Sequence, residues 1–247
     1  MEALGIDIGG TGIKAAIVDT RTGVLRTERA RFPTPVPSTP ERVAEVVKQV
    51  IAHFEYAGPV GCGFPGVVRD GVVLTAANVS KEWVGVNAEG LFKKTTGLPF
   101  FMANDADLAG VAEMRFGAGR RKKGLVIMLT FGTGIGTAFF IDGKLVPNVE
   151  LGHLEIGGRE AEKWASERAR IKHGLSWKRW AARVNAYLAR LHAYFWPELF
   201  ILGGGASKKF DKFDTYLSAP CDITEAKLRN RAGVIGASLL AVKGHRI

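Results

Sequence analysis

The chain has 247 residues, 47% of them hydrophobic, enough to bury one large core or two smaller ones. Lys and Arg number 34 against 24 Asp and Glu, a formal net charge of +10 that points to a polyanionic partner or to simple solubility. No apolar run reaches membrane-spanning length, no basic-then-apolar leader opens the chain, and Cys62 and Cys221 lack metal-type spacing, so a cytoplasmic protein without disulfide or zinc is expected.

Leu4 to Ile8 and Ile13 to Val18 flank Gly9-Gly10-Thr11-Gly12, which predicts strand–turn–strand with Asp7 before the tip and Lys14 after it. Glycine lets a backbone approach an anion closely, and threonine adds a hydroxyl donor. Val24 to Ala30 reads as a third strand, followed by a stiff loop with Pro33, Pro35, Pro37 and Pro40. Thr39-Pro40-Glu41 starts a helix with Val43, Val46, Val47 and Val50 at helical spacing, ended by Gly58 and Pro59. Val60 to Phe64 is a strand running into the glycine-rich Gly61 to Gly66 segment, and Val67 to Leu74 is a hairpin around Asp70-Gly71. Asn87 to Thr96 is a helix closed by Gly97. Pro99 to Ala103 is a strand ending on Asn104-Asp105, and Ala106 to Phe116 is an amphipathic helix.

Gly117 to Gly124 is a basic connector containing Arg120-Arg121-Lys122-Lys123, and after it the programme repeats. Strands at 125–131 and 135–141 flank a second tip, Gly132-Thr133-Gly134, preceded by Thr130, and a short strand surrounds Lys144-Leu145. Helices are expected over Glu160 to Arg170 and Ser176 to Tyr194, then a strand at Leu199 to Leu202. Gly203-Gly204-Gly205 should open a helix bearing Lys208, Lys209 and Lys212, a backbone-donor site for phosphate. Ile223 belongs to a short strand, and Arg231 to Val242 is a closing helix. Strand sets followed by alternating helices and strands in both halves indicate an α/β protein with mixed sheets.

Two constellations could carry chemistry. Asn104-Asp105 lies where a strand ends and a helix begins, a place where α/β sheets put ligands. Asp105 there is either a helix cap or a base toward an attacking hydroxyl. Glu150-Leu151-Gly152-His153 is either a surface turn with a structural histidine or a polyol site with paired hydrogen-bonding groups. Glu162 follows on the next helix. There is no Gly-x-x-x-x-Gly-Lys-Ser/Thr stretch, which excludes a P-loop enzyme.

Taken together these segments resemble the ROK sugar kinases from Gly5 to about Val242. The general marks are Asp7 to Thr11, Phe64-Pro65-Gly66, Asn104-Asp105, Gly132 to Gly136, Glu150 to His153 and Leu202 to Gly205. Asp7 to Lys14 as a whole, Glu150 to Ile156, Leu175-Ser176-Trp177 and Pro197 to Phe200 leading to Ser207-Lys208-Lys209 further resemble the subgroup that draws phosphate from inorganic polyphosphate. The resemblance implies a two-lobed, actin-like ATPase (hexokinase- or ribonuclease H-like) fold with a mixed sheet in each lobe. The lobes are expected at 1–105, joined by the closing helix at 234–247, and at 106–233.

It further implies Asp105 as general base toward the sugar 6-hydroxyl, with Gly66, Asn104, Glu150, His153 and Glu162 holding glucose. Asp7, Gly9, Gly10, Thr11 and Lys14 would meet the transferred phosphoryl group, Asp7 also holding Mg²⁺ through water. Thr130, Gly132, Thr133 and Gly134 would cradle the rest of the donor, and Gly204, Gly205, Lys208 and Lys209 its distal part. The implied donor is polyphosphate, ATP or both. The implied acceptor is glucose, with mannose left open, and the implied assembly a homodimer. Many ROK kinases hold zinc through the histidine of this motif and a cysteine cluster. Gly157 to Ser166 contains no cysteine, so no zinc is expected. ROK repressors carry a DNA-binding segment ahead of the kinase body, whereas here the Asp7 motif begins almost at residue 1. Two other readings remain open: an enzyme strictly dependent on ATP, and a basic nucleic-acid-binding module whose glycine turns are structural. The expected partners exclude nucleic acid and membrane.

Overall fold

The computed structural model describes residues 1–244. The expected extent of the closing helix, 234–247, therefore includes three residues that lie outside the described part. Two compact units are present, one comprising Met1–Ala112 together with the chain from Arg231, the other Glu113–Asn230. The division falls inside a helix, after Ala112, and not at residue 105.

The first unit begins with β1 (Glu2–Gly9) and β2 (Gly12–Asp19), an antiparallel hairpin with Gly9 opposite Gly12. The expected third strand is broken into β3 (Val24–Leu25) and β4 (Ala30–Phe32). The residues between them are drawn into side-chain bonds: Arg26 reaches Asp19 at 2.6 Å, and the Thr27 hydroxyl accepts the Ile17 N–H at 3.1 Å. Helix α1 (Pro40–His53) carries proline in its first turn and buries Val43, Ala44, Val47 and Val50, one stripe at helical spacing. It stops at His53, ahead of Gly58-Pro59, where Glu55 turns the chain with φ of 47°.

Strand β5 (Val60–Phe64) is buried throughout, the hairpin β6 (Val68–Arg69) and β7 (Val72–Val73) follows, and α2 (Ala88–Thr96) is capped by Asn87 and ended by left-handed Gly97. Strand β8 (Phe100–Asn104) leads directly into α3 (Asp105–Phe116). The sheet order is β3-β2-β1-β5-β8, with β5 parallel to β1 and β8 parallel to β5. Its core is closed on one face by aromatic packing of Phe64, Trp83, Phe92 and Phe100.

In the second unit β9 (Leu125–Phe131), β10 (Ile135–Ile141) and β11 (Lys144–Val146) form an antiparallel set. A small hairpin, β12 (Glu155–Ile156) with β13 (Arg159–Glu160), precedes two short helices, α4 (Ala161–Ala165) and α5 (Glu167–Lys172). The expected continuous helix breaks at Ser166, whose hydroxyl accepts the Ala169 N–H at 3.1 Å and starts α5 afresh. Helix α6 (Trp177–Phe195), capped by Ser176, buries Trp180, Val184, Tyr187, Leu188 and Leu191. Strands β14 (Leu199–Gly204) and β15 (Asp222–Glu225) complete the order β11-β10-β9-β14-β15. Within this unit fully buried Glu113 accepts N–H bonds from Ala118 (2.8 Å) and Leu228 (2.6 Å).

With β3 and β4, both paired to β2, counted as one broken strand, each sheet places its third, second, first, fourth and fifth strands in that spatial order, an antiparallel hairpin followed by parallel additions. The two halves share one topology, as the repeated sequence pattern predicts. Helix α7 (Ala232–Lys243) returns to the first unit and lies flat on its sheet because glycines leave no side chain in the way. A Cβ on Gly5 would stand 2.0 Å from the Val234 carbonyl oxygen, and one on Gly61 1.8 Å from that of Ala237. No described helix is long and apolar enough to cross a membrane.

Candidate active site

In the first unit the two-residue tip Gly10-Thr11 fixes the register so that Asp7 and Lys14 stand directly opposite on β1 and β2. Their side chains meet, Lys14 Nζ donating to Asp7 Oδ2 at 2.9 Å. The tip is braced by the Thr34 hydroxyl on Gly9 O (2.5 Å) and the Arg31 guanidinium on Thr11 O (2.9 Å). Neither Gly9 nor Gly10 has a positive φ. Gly10 is required by crowding, since a Cβ there would lie 2.6 Å from the Asn78 carbonyl oxygen. Asp7 also faces the start of α7, where a Cβ on Gly233 would come within 3.0 Å of its carboxyl carbon.

Of Asn104 and Asp105, the first takes the capping role. Asn104 is the cap: its Oδ1 accepts the N–H groups of Ala106 (2.8 Å) and Asp107 (3.0 Å), and its Nδ2 donates to Gly66 O at 3.2 Å. Asp105 is half-buried, and the Ala106 N–H at 2.8 Å orients its carboxylate at the end of β8. Gly66 has its N–H on Phe64 O (2.9 Å) and its carbonyl on Asn104. Its lack of a side chain serves packing, because a Cβ would lie 2.1 Å from the Thr75 carbonyl oxygen.

In the second unit the Glu150–His153 segment forms a single 3₁₀ turn, Leu151–His153. The buried Thr137 hydroxyl holds it, donating to Val149 O and accepting the Leu151 N–H at 3.1 Å. Gly152 lets the turn press on β10, where a Cβ would stand 2.2 Å from the Ile135 carbonyl oxygen. Burial pushes the Glu150 carboxyl above the usual carboxylate range; His153 opposes that rise and Glu162 adds to it. His153, Glu160 and Glu162 bring ligand atoms within 4.8 Å of one another. Lys163 Nζ already lies 3.0 Å from Glu160 Oε2 and holds that carboxyl below its ordinary range. The donor set is one imidazole and two carboxylates, with no thiolate.

Glu162 also touches the second glycine tip. Its Oε2 accepts the Ile135 N–H at 3.4 Å, and a Cβ on Gly134 would lie 2.4 Å from the same oxygen. The Gly132 N–H goes to Gly134 O and the Gly132 carbonyl accepts from Arg168, both at 3.0 Å, so Thr133 and Gly134 supply the amides left at the tip. Thr130 pairs with Gly136 and with Gly203, which brings the end of β14 beside this turn. Gly204 is left-handed (φ 83°), and a Cβ on Gly205 would lie 2.6 Å from Glu167 Oε2.

The helix expected after Gly203-Gly204-Gly205 is absent. Ala206–Lys212 is a 3₁₀ segment broken at Lys209 (φ −125°, ψ 34°), so no α-helix N-terminus faces a ligand there. Lys208, Lys209 and Lys212 stand exposed on it, while Ser207 is buried with its hydroxyl on Gly204 O at 3.0 Å. Asn78, which encloses the first tip, and Glu167, which lies against Gly205, have no distinguishing mark in the sequence. The Asp7–Lys14 pair does: counting back from a two-residue tip gives it directly.

The matching family model, ROK family, covers residues 3–165. The chain is 46% identical to a polyphosphate glucokinase of Mycobacterium tuberculosis, over 96% of this chain and 90% of that protein. It superimposes on the crystal structure of an inorganic polyphosphate/ATP-glucomannokinase from Arthrobacter sp. strain KM with a TM-score of 0.94 and 48% identity, over 98% of both chains. A ROK family glucokinase from Streptomyces griseus, in complex with glucose and AMPPNP, matches with a TM-score of 0.85 and 27% identity over 99% of this chain and 100% of that one. Its two sheets of one topology have the architecture of the two-lobed actin-like ATPases, and with two thirds of its length matching the family model this chain belongs to the ROK family.

Proposed function

We propose that the protein transfers the terminal phosphoryl group of inorganic polyphosphate, and of ATP, to the 6-hydroxyl of glucose. The observation that carries this reading is near-full-length likeness to two proteins named for polyphosphate use, at 46% and 48% identity. The net charge of +10 suits a donor that is a long polyanion.

Asp105 accepts the proton of the 6-hydroxyl as that oxygen attacks phosphorus. The new O–P bond forms while the bridging P–O bond breaks, releasing a chain one phosphate shorter, or ADP. Asn104 fixes Gly66 and the start of α3, so the base is held where the sugar must arrive. Glu150, His153 and Glu162 hold the remaining hydroxyls, two half-buried carboxylates and an exposed imidazole whose hydrogen bonds penalise a missing hydroxyl. The tip Gly9-Gly10-Thr11 and the Lys14 ammonium meet the transferred group. Thr130, Gly132, Thr133 and Gly134 meet the next phosphates, and Gly204, Gly205, Lys208 and Lys209 the distal ones.

Magnesium fits this reading. Asp7 offers a hard carboxylate oxygen, and with Lys14 on Oδ2 it suits a hydrated ion held through water. When bound, the ion neutralises developing charge on the donor phosphates. No zinc is assigned. Mannose as second acceptor follows the name of the Arthrobacter relative, and a homodimer, a cytoplasmic location and a place at the entry to sugar breakdown belong to the same reading. Glucose 6-phosphate formation by the purified protein with polyphosphate, ATP and GTP tests it. Activity with ATP alone would favour the donor seen with the Streptomyces griseus glucokinase, and activity with none would overturn the reading. Light scattering checks the dimer.

A further inference from the structure

Tyr187 lies on α6 with no exposed surface, and its hydroxyl has no hydrogen-bond partner among the described residues. A phenylalanine would fill the same space without burying an unpaired hydroxyl, so packing does not account for the oxygen. Its direction follows from the helix. Trp180 Nε1 donates to Ala165 O and Arg183 donates to Trp164 O, both at 2.8 Å, so successive turns of α6 step backward along α4. One turn beyond Arg183 on the same face stands Tyr187, which shares one buried core with Ala161, the residue before Glu162. The turn after Glu150 also packs on α4. Burial raises the phenol's ionisation well above its ordinary range, and the nearby Glu162 and Glu150 carboxylates raise it further. The hydroxyl therefore remains a donor, and the two charges that act on it are acceptors.

We propose that Tyr187 is a positioning residue for the acceptor sugar, its hydroxyl donating to the Glu150–Glu162 carboxylate pair and steadying it as glucose binds. This rests on the reading that Glu150 and Glu162 hold glucose. Two half-buried carboxylates beside one turn repel each other, and a neutral donor relieves that repulsion without neutralising the charge the sugar hydroxyls need.

The test is Tyr187→Phe, which removes one oxygen, assayed beside Glu150→Gln and Glu162→Gln. Expected for Tyr187→Phe is a rise in glucose KM of about tenfold, as for loss of a hydrogen bond to a charged group. Polyphosphate KM should be unchanged. The melting temperature without glucose should be unchanged or higher, because an unpaired buried hydroxyl has gone. An unchanged glucose KM would overturn the proposal, and so would a variant that melts lower or fails to fold, since the hydroxyl would then serve the unliganded fold. If Glu150→Gln and Glu162→Gln leave glucose KM unchanged, the sugar-site reading itself fails. If they raise it while Tyr187→Phe does not, only the role of Tyr187 fails.

Discussion

The two glycine–threonine tips occupy equivalent places, each at the end of the first antiparallel hairpin of a sheet with the same strand order. Their surroundings differ. The tip at Gly10-Thr11 stands over an ion pair, Lys14 on Asp7, and is enclosed by Asn78, Arg31 and Thr34. The tip at Gly132-Thr133-Gly134 is backed by the Glu162 carboxylate and by the Arg168 N–H. In the proposed function the first brings the Lys14 ammonium to a phosphate, and the second offers backbone amides backed by a carboxylate that holds the sugar. One motif on one topology thus has two surroundings, decided by what packs behind the turn.

The largest expected effect tests whether bond-making belongs to the first unit. Asp105→Asn should lower kcat by about 10²–10⁴, the loss of a general base, with glucose KM little changed. Near-normal turnover would move the chemistry elsewhere. A pair of tip variants sharpens the contrast. Gly134→Ala, pressing on Glu162, should raise glucose KM by about tenfold although it lies in the donor turn. Gly10→Ala, pressing on Asn78, should instead raise the KM of both donors. If both variants behave alike, the tips are equivalent and the comparison fails.

Smaller effects follow from charge. Neutralising Lys208, Lys209 and Lys212 should weaken polyphosphate use a few-fold and ATP use less, with polyphosphate KM the more sensitive to salt. Equal losses for both donors would make these lysines ordinary surface. The smallest effect is in stability. The Glu150 carboxyl is raised in the folded state, so the folded protein holds its proton more tightly than the unfolded chain does. Stability should therefore decline as pH rises from the ordinary glutamate value of 4.5 through the raised one. Glu150→Gln should remove that decline and melt no lower than the parent at neutral pH. A parallel pH dependence in the two proteins would contradict it.

Much of the fold was legible because periodicity and turn residues act locally. The hairpins at Asp7–Lys14 and Thr130–Gly136, the α1 start at Thr39-Pro40 and the Asn87 and Gly97 boundaries of α2 all follow from neighbours in sequence. The misreadings are places where a distant or side-chain partner replaced a backbone one. Asp19 and Ile17 took Arg26 and Thr27 out of the third strand, Ser166 restarted a helix, and the Gly205 backbone entered a 3₁₀ segment where a helix was expected.

The site divides in the same way. Glu150 and His153 stand out because they flank a glycine, Asp105 because it falls where an apolar strand gives way to a helix, and the Asp7–Lys14 pair follows from hairpin register alone. Tyr187 reads in sequence as one more apolar position on a helix face, and Glu167 as a first-turn glutamate. Only tertiary packing decides that a hydroxyl is left without a partner beside two carboxylates, or that a carboxylate fills the space where a glycine side chain would be. Hydrogen-bond satisfaction and close approach are properties of groups far apart in the chain, whereas helix and strand periodicity belong to groups that are near.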